Sequence, residues 1–244
     1  MKDKMFLQAP ALFVLGLVVL TGTWLAMAPE ALRAMFDQGG YSPVELATIP
    51  FFAAIIPLVW WKCPFTGSRR RRLLLCAAVS CVAFMAVSKE LDWHLQAIQA
   101  LWPDVTAAFK GTPFKMRFLT SRFTNGAQAL PIPWAAKAFV VAYFALFFGV
   151  FAALLVYFAR ALVCGFFARV APAWTIAFLG GTGVMVQLCD RMPAWIRHMR
   201  GLPKSDALDA LSAFFTAFEE GGELLIALFA LLAIVQAHRL YGRQ

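Results

Sequence analysis

Leu73-Leu-Leu-Cys-Ala-Ala-Val-Ser-Cys-Val-Ala-Phe-Met-Ala-Val87, followed by Ser88-Lys89-Glu90-Leu91-Asp92-Trp93-His94, is the stretch that decides the fold. Its apolar part holds no acid and no base, starts directly after Arg69-Arg70-Arg71-Arg72, and gives way to an ammonium, two carboxylates and an imidazole. An apolar run fenced by charge at both ends fits a helix that crosses a bilayer, because backbone polar groups in lipid must be satisfied inside their own segment. Ionisable groups at the mouth of such a helix are costly to desolvate, so they usually face a protein interior or a water-filled space.

Working outward, the same kind of segment recurs. Residues 9–28, 44–61, 73–88, 138–158, 173–188 and 222–237 are apolar, and the amphipathic stretch Ala207–Phe218 extends the last of them at its start. Trp24, Trp60, Trp61, Trp134 and Trp174 lie near segment ends, where interfacial aromatics belong. Composition agrees: 61% of residues are hydrophobic, 14% are charged and the mean hydropathy is +0.72, against roughly 25% charged residues in soluble domains. The fold expected is therefore all-α, a single polytopic transmembrane helical bundle over residues 1–244 with about six spans and an outer amphipathic connector over 95–136. Five or seven spans follow if the run Ala161–Val170 is divided differently from the fourth span. Lys2, Lys4 and Ala26-Met27-Ala28 imitate a secretion signal, but the apolar run is too long for a signal core and Pro29 would follow the cut, so an uncleaved anchor is expected.

Orientation rests on the short loop with Lys62 and Arg69–Arg72, because basic residues close to helix ends are retained in the cytoplasm. Both termini are then cytoplasmic, in the inner membrane of a bacterium. Basic residues in the long segment 89–136 and in the loop 189–206 weigh against this less, since long loops cross regardless of charge. The plain reading of the arginine run is an anchor on anionic lipid.

On that topology Asp3 is the one acid inside, and the remaining acids of the thirteen fall at or near the outer face. Glu45 opens the second span, Glu90 and Asp92 follow the third, Asp190 follows the fifth, and Glu219, Glu220 and Glu223 enter the sixth. Counting back from His238 at ~1.5 Å per residue across a ~30 Å core puts Glu219 and Glu220 at the interface and Glu223 about one turn below it. If the third helix continues through His94, Glu90 and His94 are i and i+4 on one face, and Glu219 and Glu223 repeat that spacing on the last helix. Facing helices with such pairs build carboxylate and histidine metal sites, so Glu90, His94, Glu219, Glu223 and Asp190 form a candidate ligand set for one divalent metal ion. Such an ion lowers the pKa of bound water, which gives Glu90, Asp92, His94, Glu219 and Glu223 candidate catalytic roles. The plainer alternatives are a salt bridge between Glu90 and Lys89, an interfacial His94, and helix-entry roles for Glu219 and Glu220.

The connector is free of acid from Val105 onward and interleaves Lys115, Arg117 and Arg122 with phenylalanines, a pattern able to hold an anionic head group. It equally fits a connector lying on lipid. The five cysteines form no Cys-x-x-Cys pair, Gly180-Gly181-Thr182-Gly183 is expected to allow close helix packing, and His198 is either a second imidazole approaching the acids or, more plainly, a surface residue of an amphipathic loop.

Glu90-Leu-Asp-Trp-His94, then Ser121-Arg122-Phe123, a proline-rich entry to the next helix and a Glu-rich start to a later span resemble a pattern in uncharacterised bacterial multi-pass membrane proteins. The resemblance covers about residues 40–140 and 219–228 and implies no activity. The Asp-Trp dipeptide is similar to that of alkaline ceramidases, but their His-x-x-x-His pair is absent; Glu219-Glu220 is similar to intramembrane CAAX-type proteases, whose further motifs do not follow. Two classes of function remain. One is a metal-dependent enzyme acting on a lipid or lipid-linked anionic substrate at the outer face. The other is a non-catalytic membrane subunit, a cation or proton carrier, or an assembly factor in a larger complex. The expected partners are membrane lipids and another membrane protein, with no nucleic acid.

Overall fold

A computed structural model describes residues 2–36, 42–91, 93–103, 133–200 and 206–241, and the described residues are helical apart from turns and caps. After a 3₁₀ turn at Lys2–Leu7 come α1 (Gln8–Ala26), α2 (Pro29–Phe36), α3 (Pro43–Lys62), α4 (Arg69–Glu90), α5 (Trp93–Leu101), α6 (Trp134–Phe167), α7 (Ala171–Arg200) and α8 (Asp206–Tyr241). Six helices are long and apolar enough to cross a membrane: Lys4–Ala26, Pro43–Lys62, Arg69–Glu90, Trp134–Phe167, Ala171–Pro193 and Ala210–Tyr241. The expectation of six is met.

Local chemistry explains the starts and stops. Ser42 caps α3 in a capping box, its hydroxyl accepting from the Glu45 N–H at 3.1 Å while Glu45 Oε2 accepts from the Ser42 N–H at 2.6 Å. Pro43 then occupies the first helical turn, where its missing N–H leaves nothing unsatisfied. Ser68 caps α4 in the simpler way, accepting from the Arg71 N–H at 3.3 Å. Pro29 opens α2 two residues after Met27, the C-cap of α1.

Helix α8 is the axis of the bundle. On one side Leu20 of α1, Cys189 of α7 and Leu32 of α2 pack with its Leu225 and Phe229. On another, Phe52, Ile55 and Val59 of α3 and Cys76, Ala83 and Val87 of α4 pack with its Ala227 and Ile234. Helix α6 stands at the rim, and its Val141, Phe148, Val156 and Phe167 are exposed, as suits a helix long and apolar enough to cross a membrane.

Three expectations need correction. The loop expected at 189–206 is mostly helix, because α7 runs on to Arg200 along the equally extended start of α8. The third membrane helix does not continue through His94: α4 ends at Glu90, Leu91 caps it by donating to Val87 O at 3.0 Å, and α5 begins at Trp93. Glu90 and His94 are thus not i and i+4 of one helix. Close packing at Gly180-Gly181-Thr182-Gly183 holds only for its second half: a Cβ at Gly180 or Gly181 would meet nothing within 4 Å, whereas Thr182 is fully buried beside Gly222 and a Cβ at Gly183 would meet Ile226 Cδ1 at 4.0 Å.

Candidate carboxylate site

The close approach lies instead at Gly221-Gly222 on α8, between Glu220 and Glu223. A Cβ on Gly221 would collide with Leu20 Cδ2 of α1, and one on Gly222 would stand 2.5 Å from Val186 Cγ2 of α7. Both neighbours are buried, so the missing side chains let α1 and α7 seat directly against the α8 backbone. Leu20 lies six residues before the end of α1 at Ala26, which puts this level ~9 Å inside the end of that helix.

Glu220 and Glu223, three residues apart and therefore neighbours on one helix face, meet the last turn of α4. The Lys89 ammonium lies 2.5 Å from Glu223 Oε1 and 3.2 Å from Glu90 Oε1. One carboxylate oxygen from each of Glu90, Glu220 and Glu223 lies within 4.8 Å of the others. The carboxylates are enclosed, at 5% side-chain exposure for Glu90 and 14% for Glu223, whereas Lys89 keeps 56% and approaches from the open side. Glu45 and Glu219 add their charges to the field at Glu220. Among the described residues a single ammonium, paired with Glu90 and Glu223, therefore stands beside a group of three carboxylates, and two more act on that group. Just before this turn, Tyr143 Oη of α6 lies 3.1 Å from Ser88 Oγ and 3.4 Å from Met85 O, which ties α6 to α4.

Of the residues singled out from sequence, Glu90 and Glu223 come together. Glu219 does not join them; Glu220, one residue on, takes the place. The cause is rotation: successive helix residues point ~100° apart, and the seating of Gly221 and Gly222 fixes which glutamate faces α4. Asp190 pairs with Arg191 at 3.3 Å, away from the group. Glu45 serves its helix cap. Asp92, Lys115, Arg117 and Arg122 lie outside the described residues, as do the side chains of His94 and His198. His238 is at the other end of α8, with its Nδ1 2.6 Å from Lys62 O. Sequence reasoning treated Lys89 only as a partner for Glu90, and passed over Glu220 as a ligand. The signal for Glu220 was the glycine pair beside it, which marks the α8 face pressed against neighbours.

Chemically, the group offers oxygen donors from two helices and one tethered cation. Oxygens within this reach of one another can share a hard cation at about 2.0–2.6 Å. Lys89 occupies part of that role. Comparison with protein-family models, curated proteins and solved structures returns no match.

Proposed function

We propose that this chain is an integral membrane protein, lying in the inner membrane of a bacterium with both termini cytoplasmic, whose carboxylate group binds a small cation or proton in exchange for Lys89. The run Arg69–Arg72 in a short connection supports that orientation, because basic residues of this kind are retained in the cytoplasm, and on it the carboxylates face the outside. The observation that carries the function is the imbalance of charge: one ammonium against Glu90, Glu220 and Glu223, held inside the end of apolar helices. Uncompensated carboxylates are costly in such surroundings, so an added positive charge is favoured. Lys89 is the tethered competitor, and its exposure gives it room to withdraw.

This is the carrier or subunit class. The second reading, a metal-dependent enzyme acting on a lipid or lipid-linked anion, is favoured by one observation, the mutual reach of three carboxylate oxygens. A divalent ion there would take Glu90, Glu220 and Glu223 once Lys89 had moved aside.

Calorimetric titration of the purified chain with Na⁺, Mg²⁺ and Mn²⁺, with proton uptake measured in parallel, tests both. Lys89→Gln is expected to raise cation affinity about tenfold and Glu223→Gln to lower it by a similar factor, as loss of one close charge contact implies. Tight Mn²⁺ or Mg²⁺ binding by Lys89→Gln, with no Na⁺ or proton response, favours the enzyme reading. If neither wild type nor Lys89→Gln takes up any ion or proton, the site is only a structural ion pair.

A further inference from the structure

We propose a second site at the opposite end of α4: a crevice between the start of that helix and α6 that binds a phosphate-bearing anion, seated as the headgroup of an anionic lipid. The crevice has a volume of about 250 Å³ and is lined by Ser68, Arg70, Arg71, Leu74, Leu75 and Tyr157. That is several times the ~30 Å³ share of one water molecule.

The arginines are where cations are least welcome. Four of them occupy the first turn of α4 with no acidic residue beside them, at the helix end that carries partial positive charge. Among the described residues no carboxylate pairs with Arg69, Arg70, Arg71 or Arg72. An anion relieves both the mutual repulsion and the adverse dipole.

One of the guanidiniums is held in place. Arg71 lies 5.2 Å over the Tyr157 ring of α6. On its other side it folds across Gly67, where φ is +110° and a Cβ would stand 3.1 Å from Arg71 Cδ. Glycine is required there by backbone and by space alike, and its absence of side chain leaves the arginine its path. Planar guanidinium forks match phosphate oxygens two at a time. Beneath the charged rim, Leu74 and Leu75 continue the wall as hydrocarbon, so the occupant that fits is anionic at one end and apolar at the other.

The test is thermal unfolding of the full chain in a neutral detergent, titrated separately with short-chain phosphatidylglycerol, phosphatidylcholine of the same chain length and inorganic phosphate. Phosphatidylglycerol is expected to raise the midpoint where phosphatidylcholine does not. A shift with phosphatidylglycerol alone assigns the site to a lipid headgroup; an equal shift with inorganic phosphate keeps the phosphate chemistry but overturns the lipid. Arg70→Gln/Arg71→Gln should weaken the half-saturating concentration roughly 30-fold, at about fivefold per arginine near an anion. Arg69→Gln/Arg72→Gln removes the same charge outside the crevice and should change it less than twofold. Equal weakening by the two doubles, or equal stabilisation by both lipids, overturns the proposal. Should the first double fail to fold, Tyr157→Leu serves instead: it keeps all four charges, unseats Arg71 and should weaken phosphatidylglycerol severalfold, and no change would count against the crevice.

Discussion

Helix α8 carries two polar groups, and they are built on opposite principles. Near its end, Gln236 donates from Nε2 to Gln8 Oε1 at 3.0 Å and to Met5 O at 3.3 Å, while its Oε1 accepts from Thr175 at 2.6 Å. Gln236 and Thr175 are fully buried, and the group is neutral. Both amide hydrogens and the amide oxygen have partners, so the group closes on itself and ties the N-terminal turn, α1 and α7 to α8. Glu220 and Glu223, ~20 Å away along the same helix, are ionisable, gather with Glu90 around one lysine among the described residues, and that lysine is exposed. A polar group that satisfies itself is scaffold. One that lacks a counter-charge is open to a ligand.

The largest break in this contrast comes from a residue with no polar side chain. Gly222→Leu should lower the unfolding free energy by about 2 kcal/mol, because overpacking costs roughly 3 kcal/mol and leaving glycine in a helix interior returns about 1 kcal/mol. The clash falls on Val186, a β-branched residue with little rotamer freedom in a helix, so α7 and α8 must part. Cation binding should vanish with it, although no ligand has been touched. Unfolding in detergent and calorimetry on the same sample measure the two effects together; retained affinity would mean that the glycine pair does not set the carboxylate geometry.

Gln236→Leu is the complementary break, expected to lower stability by about 1.5 kcal/mol because it removes the three hydrogen bonds made by a fully buried amide. Cation affinity should stay within about twofold, as expected for sites this far apart. A tenfold loss of affinity would show that the two ends of α8 are coupled and remove the contrast altogether.

How these features could be read beforehand follows from the physics. Spans announce themselves through hydropathy, an additive property, and α8 kept its amphipathic start as one helix with its apolar part. Depth along a helix is additive too, so Glu223 was placed below the interface by counting. Rotation is not, because it depends on which neighbours seat against the helix, and that is why Glu219 stood in for Glu220. The turn at Leu91 was hidden for a similar reason. Neither glycine nor proline marks it, and a residue with φ −88° and ψ 4° carries no compositional sign. Lys89 was read as a partner for its chain neighbour, whereas its contact with Glu223 spans 134 positions of sequence. That contact needed α3, which packs on both α4 and α8, to bring the ends of those two helices within reach of a lysine side chain.

The smallest expected effect sharpens where the boundary between the two kinds of polar group runs. Tyr143 is neutral and hydrogen-bonded like the Gln236 group, yet its hydroxyl rests on Ser88, the residue before Lys89. Ser88 is buried, so removing the hydroxyl takes away a partner that water cannot replace. As scaffold, Tyr143→Phe should lose about 0.5 kcal/mol of unfolding free energy, near the mean for side-chain hydrogen bonds between membrane helices, and leave cation affinity within twofold. Unchanged stability with a tenfold shift in affinity would give the opposite assignment. The hydroxyl would then be orienting the last turn of α4, and the carboxylate site would extend onto α6 as a third helix.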